Sequence, residues 1–190
     1  MGKIDIKKWH DFEISRLFTI KSPKARKISE YIEGDVPYVS SGAINNGVVS
    51  YLEPKNEDDI EEGNCITVSP LDGSAFYQEH DFLGRGGAGS AISLLYNDNL
   101  DKYNSLFIST IIKLASEKFD YSDALTGSNL YTLKIKLPVL TNNHGSPVID
   151  KEKIYNEQGL IPDWDGMSKQ IKSLEVPVLN KLEILKELSS

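Results

Sequence analysis

The chain has 190 residues, 39% of them hydrophobic and 9% aromatic, enough for one domain with an ordinary core and a small appendage. A net charge of −7 excludes a simple polycation that coats DNA phosphates, and the scattered His10, His80 and His144 exclude a clustered zinc site. A single cysteine, Cys65, excludes an internal disulfide, and no apolar run approaches the roughly 18 residues of a membrane helix. A cytoplasmic setting follows as the expectation, since "MGKIDIKKWHDF" has no signal-peptide core and places Ile6 where a myristoylation signal needs Ser or Thr.

In chain order, "DFEISRLFTI" reads as one amphipathic element ending in a strand and bringing Phe12, Ile14, Leu17, Phe18 and Ile20 to a core. "KSPKARK" is a polar loop broken by Pro23. "VPYVSSG" and "GVVSYL" are strands joined by Asn45-Asn46-Gly47, a hairpin turn because Asn and Gly tolerate positive φ. "EPKNEDDIEE", 53–62, reads as a solvated loop or weak helix. "CITVSP" is a strand, Asp72-Gly73 a second hairpin signal, and "LGRGGAGS" a glycine-rich loop leading to the strand "AISLLY".

The clearest helix is "NLDKYNSLFISTIIKLASEKF". Asn99 or Asp98 is its expected cap, and Leu100, Tyr103, Leu106, Phe107, Ile111, Leu114 and Ala115 its expected buried face. "LYTLKIKLPV" alternates as a half-buried strand, and 141–162 is an irregular arm. "DWDGMSKQIKSLE" is a helix, and Pro177 opens another with Leu179, Leu182, Leu185 and Leu188 as a docking or dimerisation stripe. The expected class is α/β of the α+β kind: mixed, mostly antiparallel short strands with one long helix packed on them, plus C-terminal helices.

Charge is bipolar. Residues 1–27 carry eight basic side chains against three acids, whereas 53–62 carries six acids against one lysine. The loop 84–90 lacks the Lys-Ser/Thr of a P-loop and the dinucleotide-binding glycine pattern. No Gly-x-Ser-x-Gly elbow, Asn-Pro-Pro-aromatic tetrapeptide or nuclease acid-x-Lys triplet is present, so neither an active site nor a cofactor is expected. Binding signals are stronger. Lys21, Lys24, Arg26 and Lys27 put four cations on seven residues, Arg85 tips the glycine loop, and "YSDALTGSN" offers Tyr121, Ser128 and Asn129. Arg and Asn suit base edges, and Ser and Tyr suit backbone contacts, although each segment also makes an ordinary solvated loop.

In this order, "WHDFEISRLFTI", "DVPYVSSGAINNGVVSYL", "GNCITVSPLDGSAFYQEHDF", "LFISTIIKLASEKFDYSD" and "LKIKLPV" resemble a target-recognition domain of restriction–modification specificity subunits, type I and related fused type II. "PDWDGMSKQIKSLE" resembles the segment closing such domains. The resemblance implies a double-stranded DNA reader without chemistry of its own. It would grip one half of a bipartite target and dock by helices on a methyltransferase subunit, with a restriction subunit further on. Residues 1–162 would be the DNA-binding domain and 163–190 the docking or dimerisation segment. Ser40, Ser41 and Asn45 would face the groove. Such subunits carry two domains, so one domain here implies a half-subunit that dimerises, a short reader or a fragment. The competing expectation is a protein-interaction module that occupies a methyltransferase without binding DNA, its acidic stretch mimicking phosphate.

Overall fold

The computed structural model describes residues 6–87, 91–117, 125 and 128–175. Among the described residues the strands form three sheets. Strands β1 (His10–Glu13) and β10 (Lys134–Leu137) pair antiparallel with Phe12 opposite Ile135. A four-stranded antiparallel sheet runs β2 (Thr19–Lys21), β9 (Ser93–Tyr96), β6 (Cys65–Val68), β7 (Ala75–Gln78). The other four-stranded sheet runs β4 (Val48–Leu52), β3 (Glu33–Val39), β8 (Phe82–Gly84), β5 (Ile60–Glu61), in which β3 and β8 are parallel.

The β6 sheet is buried on both faces. Alternation sends Ile66, Val68 and Leu95 to the main core and Cys65 and Leu94 to a second core with Val39 and Phe82. Burial pushes the Cys65 thiol up to about 12, so it stays protonated.

The expected amphipathic element at 11–20 is instead three short ones: β1, a single helical turn α1 (Ile14–Leu17) and β2. The Phe18 amide still bonds the Ile14 carbonyl, but Phe18 itself is extended, so the turn converts at once to strand. Similarly, Leu130–Thr132 joins a short helix α3 (Ser128–Thr132) rather than the strand that follows. The acidic stretch is also more ordered than its composition suggests, with a helical turn at Glu57–Asp59 and then β5, where Glu61 is buried.

Helix α2 spans Lys102–Ser116 and is capped by Asp101, not Asp98 or Asn99. The Asp101 carboxylate accepts from the Tyr103 and Asn104 amides while the Asn104 side chain accepts from the Asp101 amide, a reciprocal box that satisfies orphan N–H groups. The buried face is rotated from the expected one. Asn104, Ser105, Phe107, Ile108, Ser109, Ile112 and Ser116 point inward, whereas Leu106 and Leu114 are 43% and 53% exposed. Helix α2 packs on β7. Ser105 Oγ is buried without a hydrogen-bond partner among the described residues. Ser105→Ala is therefore expected to raise stability by about 1 kcal/mol in chemical denaturation, from a removed unsatisfied hydroxyl and better helix propensity.

The arm at 138–162 folds back on itself through bridges Val139↔Pro162, Thr141↔Pro147 and Ile149↔Leu160. A helix over 164–175 follows, and Met167, Trp164 and Ile171 enter the main core. Its Ser168 hydroxyl donates to Asp101 Oδ2 at 2.7 Å, and Lys172 Nζ lies 4.6 Å from the Tyr103 ring centroid. Burial opposes ionisation of Asp101, but the hydrogen bonds from Ser168, Asn104 and Tyr103 together with the Lys172 charge outweigh it, and the net pKa is lowered. A depressed carboxylate contributes stability above its unfolded value of about 4 and loses it as pH falls through the folded value. Asp101→Ala is expected to cost about 1–2 kcal/mol at pH 7 and to flatten the acid limb of a stability–pH curve.

Among the described residues no helix is long and apolar enough to cross a membrane.

Candidate nucleic-acid interface

Strand directions decide which loops meet. In the β6 sheet, Lys21 opposes Leu94 and Val68 opposes Ser93, so the end of β2, the start of β9, the end of β6 and the start of β7 share one sheet end. The loops 22–27 and 69–74 leave from that end. Because β3 and β8 are parallel, with Val39 beside Gly84, the loops 40–47 and 85–92 also leave together. The two ends are joined by hydrogen bonds: the Arg85 amide donates to the Val39 carbonyl at 2.8 Å, and the Ile92 amide donates to the Arg85 carbonyl at 3.1 Å.

The cationic loop is seated on the glycine loop. The Gly86 amide donates to the Ala25 carbonyl at 2.9 Å, and a side chain at Gly86 would meet the Pro23 carbonyl oxygen at 2.1 Å. The acidic stretch holds the other side. The Lys24 amide donates to Glu61 Oε1 at 2.7 Å, and the Arg26 amide donates to the Tyr31 hydroxyl, which itself donates to Asp59 Oδ2 at 3.3 Å. Tyr38, 1% exposed, donates its hydroxyl to the Arg26 carbonyl. Burial raises the Tyr38 pKa against the lowering effect of the nearby Arg85 guanidinium, so the phenol stays a donor. The Lys24 and Arg26 amides and the Ala25 and Arg26 carbonyls are thus satisfied by protein, while Lys24, Arg26 and Lys27 stay exposed. The bipolar charge of the sequence becomes a contact: acids anchor the main chain from which cations project.

Of the expected site residues, Lys24, Arg26, Lys27, Ser40, Ser41 and Arg85 belong to these converging loops. Lys21 turns away along β9, its ammonium 4.6 Å from the Tyr96 ring centroid. Asn45 sits at the hairpin tip with φ +50°, and its Nδ2 donates to the Val48 carbonyl at 2.9 Å. Ser128 and Asn129 open α3, three residues beyond Leu125, whose amide donates to Pro70 in the loop 69–74. Tyr121, Leu179, Leu182, Leu185 and Leu188 lie outside the described residues. Sequence reading missed Tyr31, Tyr38 and Glu61, the supports of the loop. No local pattern marked them: Tyr31 follows a helical turn, Tyr38 lies between Pro37 and Val39 in β3, and Glu61 sits in an acidic run.

Among the described residues no three His, Cys, Asp or Glu side chains gather as a metal site. The described residues form a mixed α+β body with polar and cationic loops gathered at one end. Residues 6–156 match the family described as the type I restriction modification DNA specificity domain. The chain belongs to that family. It is 27% identical over 175 residues to the type II restriction enzyme BgcI specificity subunit S.BcgI of Heyndrickxia coagulans, covering 88% of this chain and 44% of that one. Its fold resembles the S subunit of the type I restriction-modification system of M. genitalium, with a TM-score of 0.51 at 20% identity over 96% of this chain and 43% of that one. A chain from a structure on assembly and conformational transition of the type I system gives a TM-score of 0.50 at 16% identity, over 98% of this chain and 45% of the other. The chain therefore spans less than half the length of each.

Proposed function

We propose that this chain recognises double-stranded DNA sequence-specifically as one half-site reader of a restriction–modification complex, with no chemistry of its own. The observation that carries the reading is the convergence of Lys24, Arg26, Lys27, Arg85, Ser40 and Ser41 on adjoining loops held by protein contacts to their backbones. Cations and hydroxyls on preorganised loops suit phosphates, and Arg suits guanine edges. The acidic net charge is compatible with this, because Glu61 and Asp59 serve the loop main chain from behind. Residues 1–162 form the recognition domain. Residues 163–190, whose first turns pack Trp164, Met167 and Ile171 on the core of that domain, form the segment by which a methyltransferase subunit, with a restriction subunit, or a second copy is engaged in a cytoplasmic complex.

The test is binding of the full chain to a random duplex pool between 50 and 200 mM salt. A reader shows affinity that falls with salt, about threefold to fourfold per phosphate contact over that range, and enriches a motif. Methyl transfer and cleavage by the chain alone are expected to be absent. Failure to bind at 50 mM salt favours instead a module that docks on a methyltransferase without touching DNA.

A further inference from the structure

The hairpin tip between β3 and β4 carries an apolar side chain at the surface, in the same loop as Ser40 and Ser41. Ile44 is 81% exposed, more than any other large hydrophobic among the described residues. It is not on a loose loop. The Gly47 amide donates to the Ile44 carbonyl and the Ser40 amide to the Gly47 carbonyl, both at 2.9 Å. Asn46 Nδ2 donates to the Tyr77 carbonyl and to Gln78 Oε1, both at 3.1 Å, and Gln78 Nε2 returns a bond to the Asn46 carbonyl at 3.0 Å. The tip is thus pinned to β7, and Gln78 is itself buried and bonded to Thr67 Oγ1 at 3.0 Å.

The side-chain amides of Asn45 and Asn46 bond to the turn and to β7. Both residues have positive φ, which turns the chain back after Ile44. What the tip presents outward is a β-branched side chain with few rotamers, on a fixed backbone, in the loop that also carries Ser40 and Ser41 and whose base, at Val39, bonds the Arg85 amide. Leaving an isoleucine in water forgoes burial and adds nothing to the core. A solvated polar residue would serve the turn equally well.

We propose that Ile44 is a specificity-determining residue that packs against the 5-methyl group of a thymine in the major groove. The inference rests on the DNA-reading role stated above. The thymine methyl is the apolar group on the major-groove edges, and a stiff aliphatic on a rigid tip is the complementary probe. The neighbouring Ser40, Ser41 and Arg85 would take the polar edges and phosphates beside it.

The experiment selects duplexes from a random pool with the full-length wild-type chain and with Ile44→Ala. Each thymine of the enriched sequence is then replaced by uracil, which removes the methyl alone. At one position the wild type is expected to lose about fourfold in affinity, the equivalent of one buried methyl group. Ile44→Ala is expected to bind the thymine duplex about fourfold more weakly than wild type and to bind both duplexes alike. Its melting temperature should equal that of the wild type, because the side chain is outside the cores. Uracil tolerance by the wild type at every position overturns the proposal, as does an Ile44→Ala profile identical to wild type. The latter would leave the side chain to a protein partner. If the wild type enriches no sequence, the DNA-reading role itself fails, a different outcome from a motif without a methyl-sensitive position.

Discussion

Replacing Arg26, Lys27 and Arg85 together by alanine is expected to weaken binding to a random duplex on the order of a hundredfold near 0.1 M salt. Counterion release gives each phosphate contact a slope of about 0.9 in a plot of log affinity against log salt. The triple variant should therefore lose up to about three units of slope. The effect is readable because the fold scarcely depends on these heads. Arg26 and Lys27 are exposed, and the main-chain bonds of the loop to Tyr31, Tyr38 and Gly86 survive truncation of its side chains. Arg85 adds one side-chain bond, Nη1 to the Gly86 carbonyl at 3.3 Å, whose loss costs about 1 kcal/mol. An unchanged salt slope with a normal thermal melt would remove the three residues from the contact surface. Arg85→Lys separates two roles: a point charge retains the phosphate slope but loses bidentate recognition of a guanine edge.

Gly86→Ala is the backbone counterpart and the second large effect. The added methyl would stand 2.1 Å from the Pro23 carbonyl oxygen and 2.9 Å from that of Ala25, so main chain, not a flexible side-chain end, must give way. The loop 22–27 must lift, and the Gly86 amide then loses its bond to Ala25, which is fully buried. A destabilisation of about 2–3 kcal/mol is expected in urea denaturation, from the lost bond and disturbed packing around Ala25, Tyr38, Leu52 and Leu83. DNA affinity should fall further than stability accounts for, because the cations lose their common platform. Gly87→Ala is a control for the crowding: among the described residues its added methyl meets only Arg26 Nη1, at 3.8 Å, though its φ of +84° still carries a modest backbone cost. Equal stability of Gly86→Ala and wild type would show that the two loops are not docked in solution.

The strands at 36–52, 65–78 and 93–96, both hairpin turns and the long helix were legible because each rests on local signals: β-branched alternation, Asn-Gly or Asp-Gly turns, and three- and four-residue apolar spacing. The face of α2 was not. Apolar spacing assigned Leu106 and Leu114 inward, yet the helix buries Asn104, Ser105 and Ser109 beside Phe107, Ile108 and Ile112, and both leucines face out. Other buried hydroxyls do find partners, and these come from distant chain: Ser116 Oγ donates to the Gly73 carbonyl at 3.4 Å, and Ser168 Oγ to Asp101 Oδ2 at 2.7 Å. Glu61 is a similar case. Composition assigned it to water, and it is buried because the Lys24 amide, 37 residues earlier, supplies its partner.

By itself, the sequence determined the ingredients: a cation-rich loop, a glycine loop with Arg85, a tight Asn-Asn-Gly hairpin, and an ordered set of segments resembling a specificity domain. Tertiary structure alone decided which of them meet. The parallel pairing of β3 with β8 sends the loops after both strands out of the same edge. The antiparallel order β2-β9-β6-β7 brings the cationic loop to that place, whereas the cation at Lys21 is drawn back over Tyr96. The reason is physical. Turn chemistry and periodicity act over a few residues and are written locally, but strand order and the seating of one loop on another are settled by burial and hydrogen-bond satisfaction between segments dozens of residues apart.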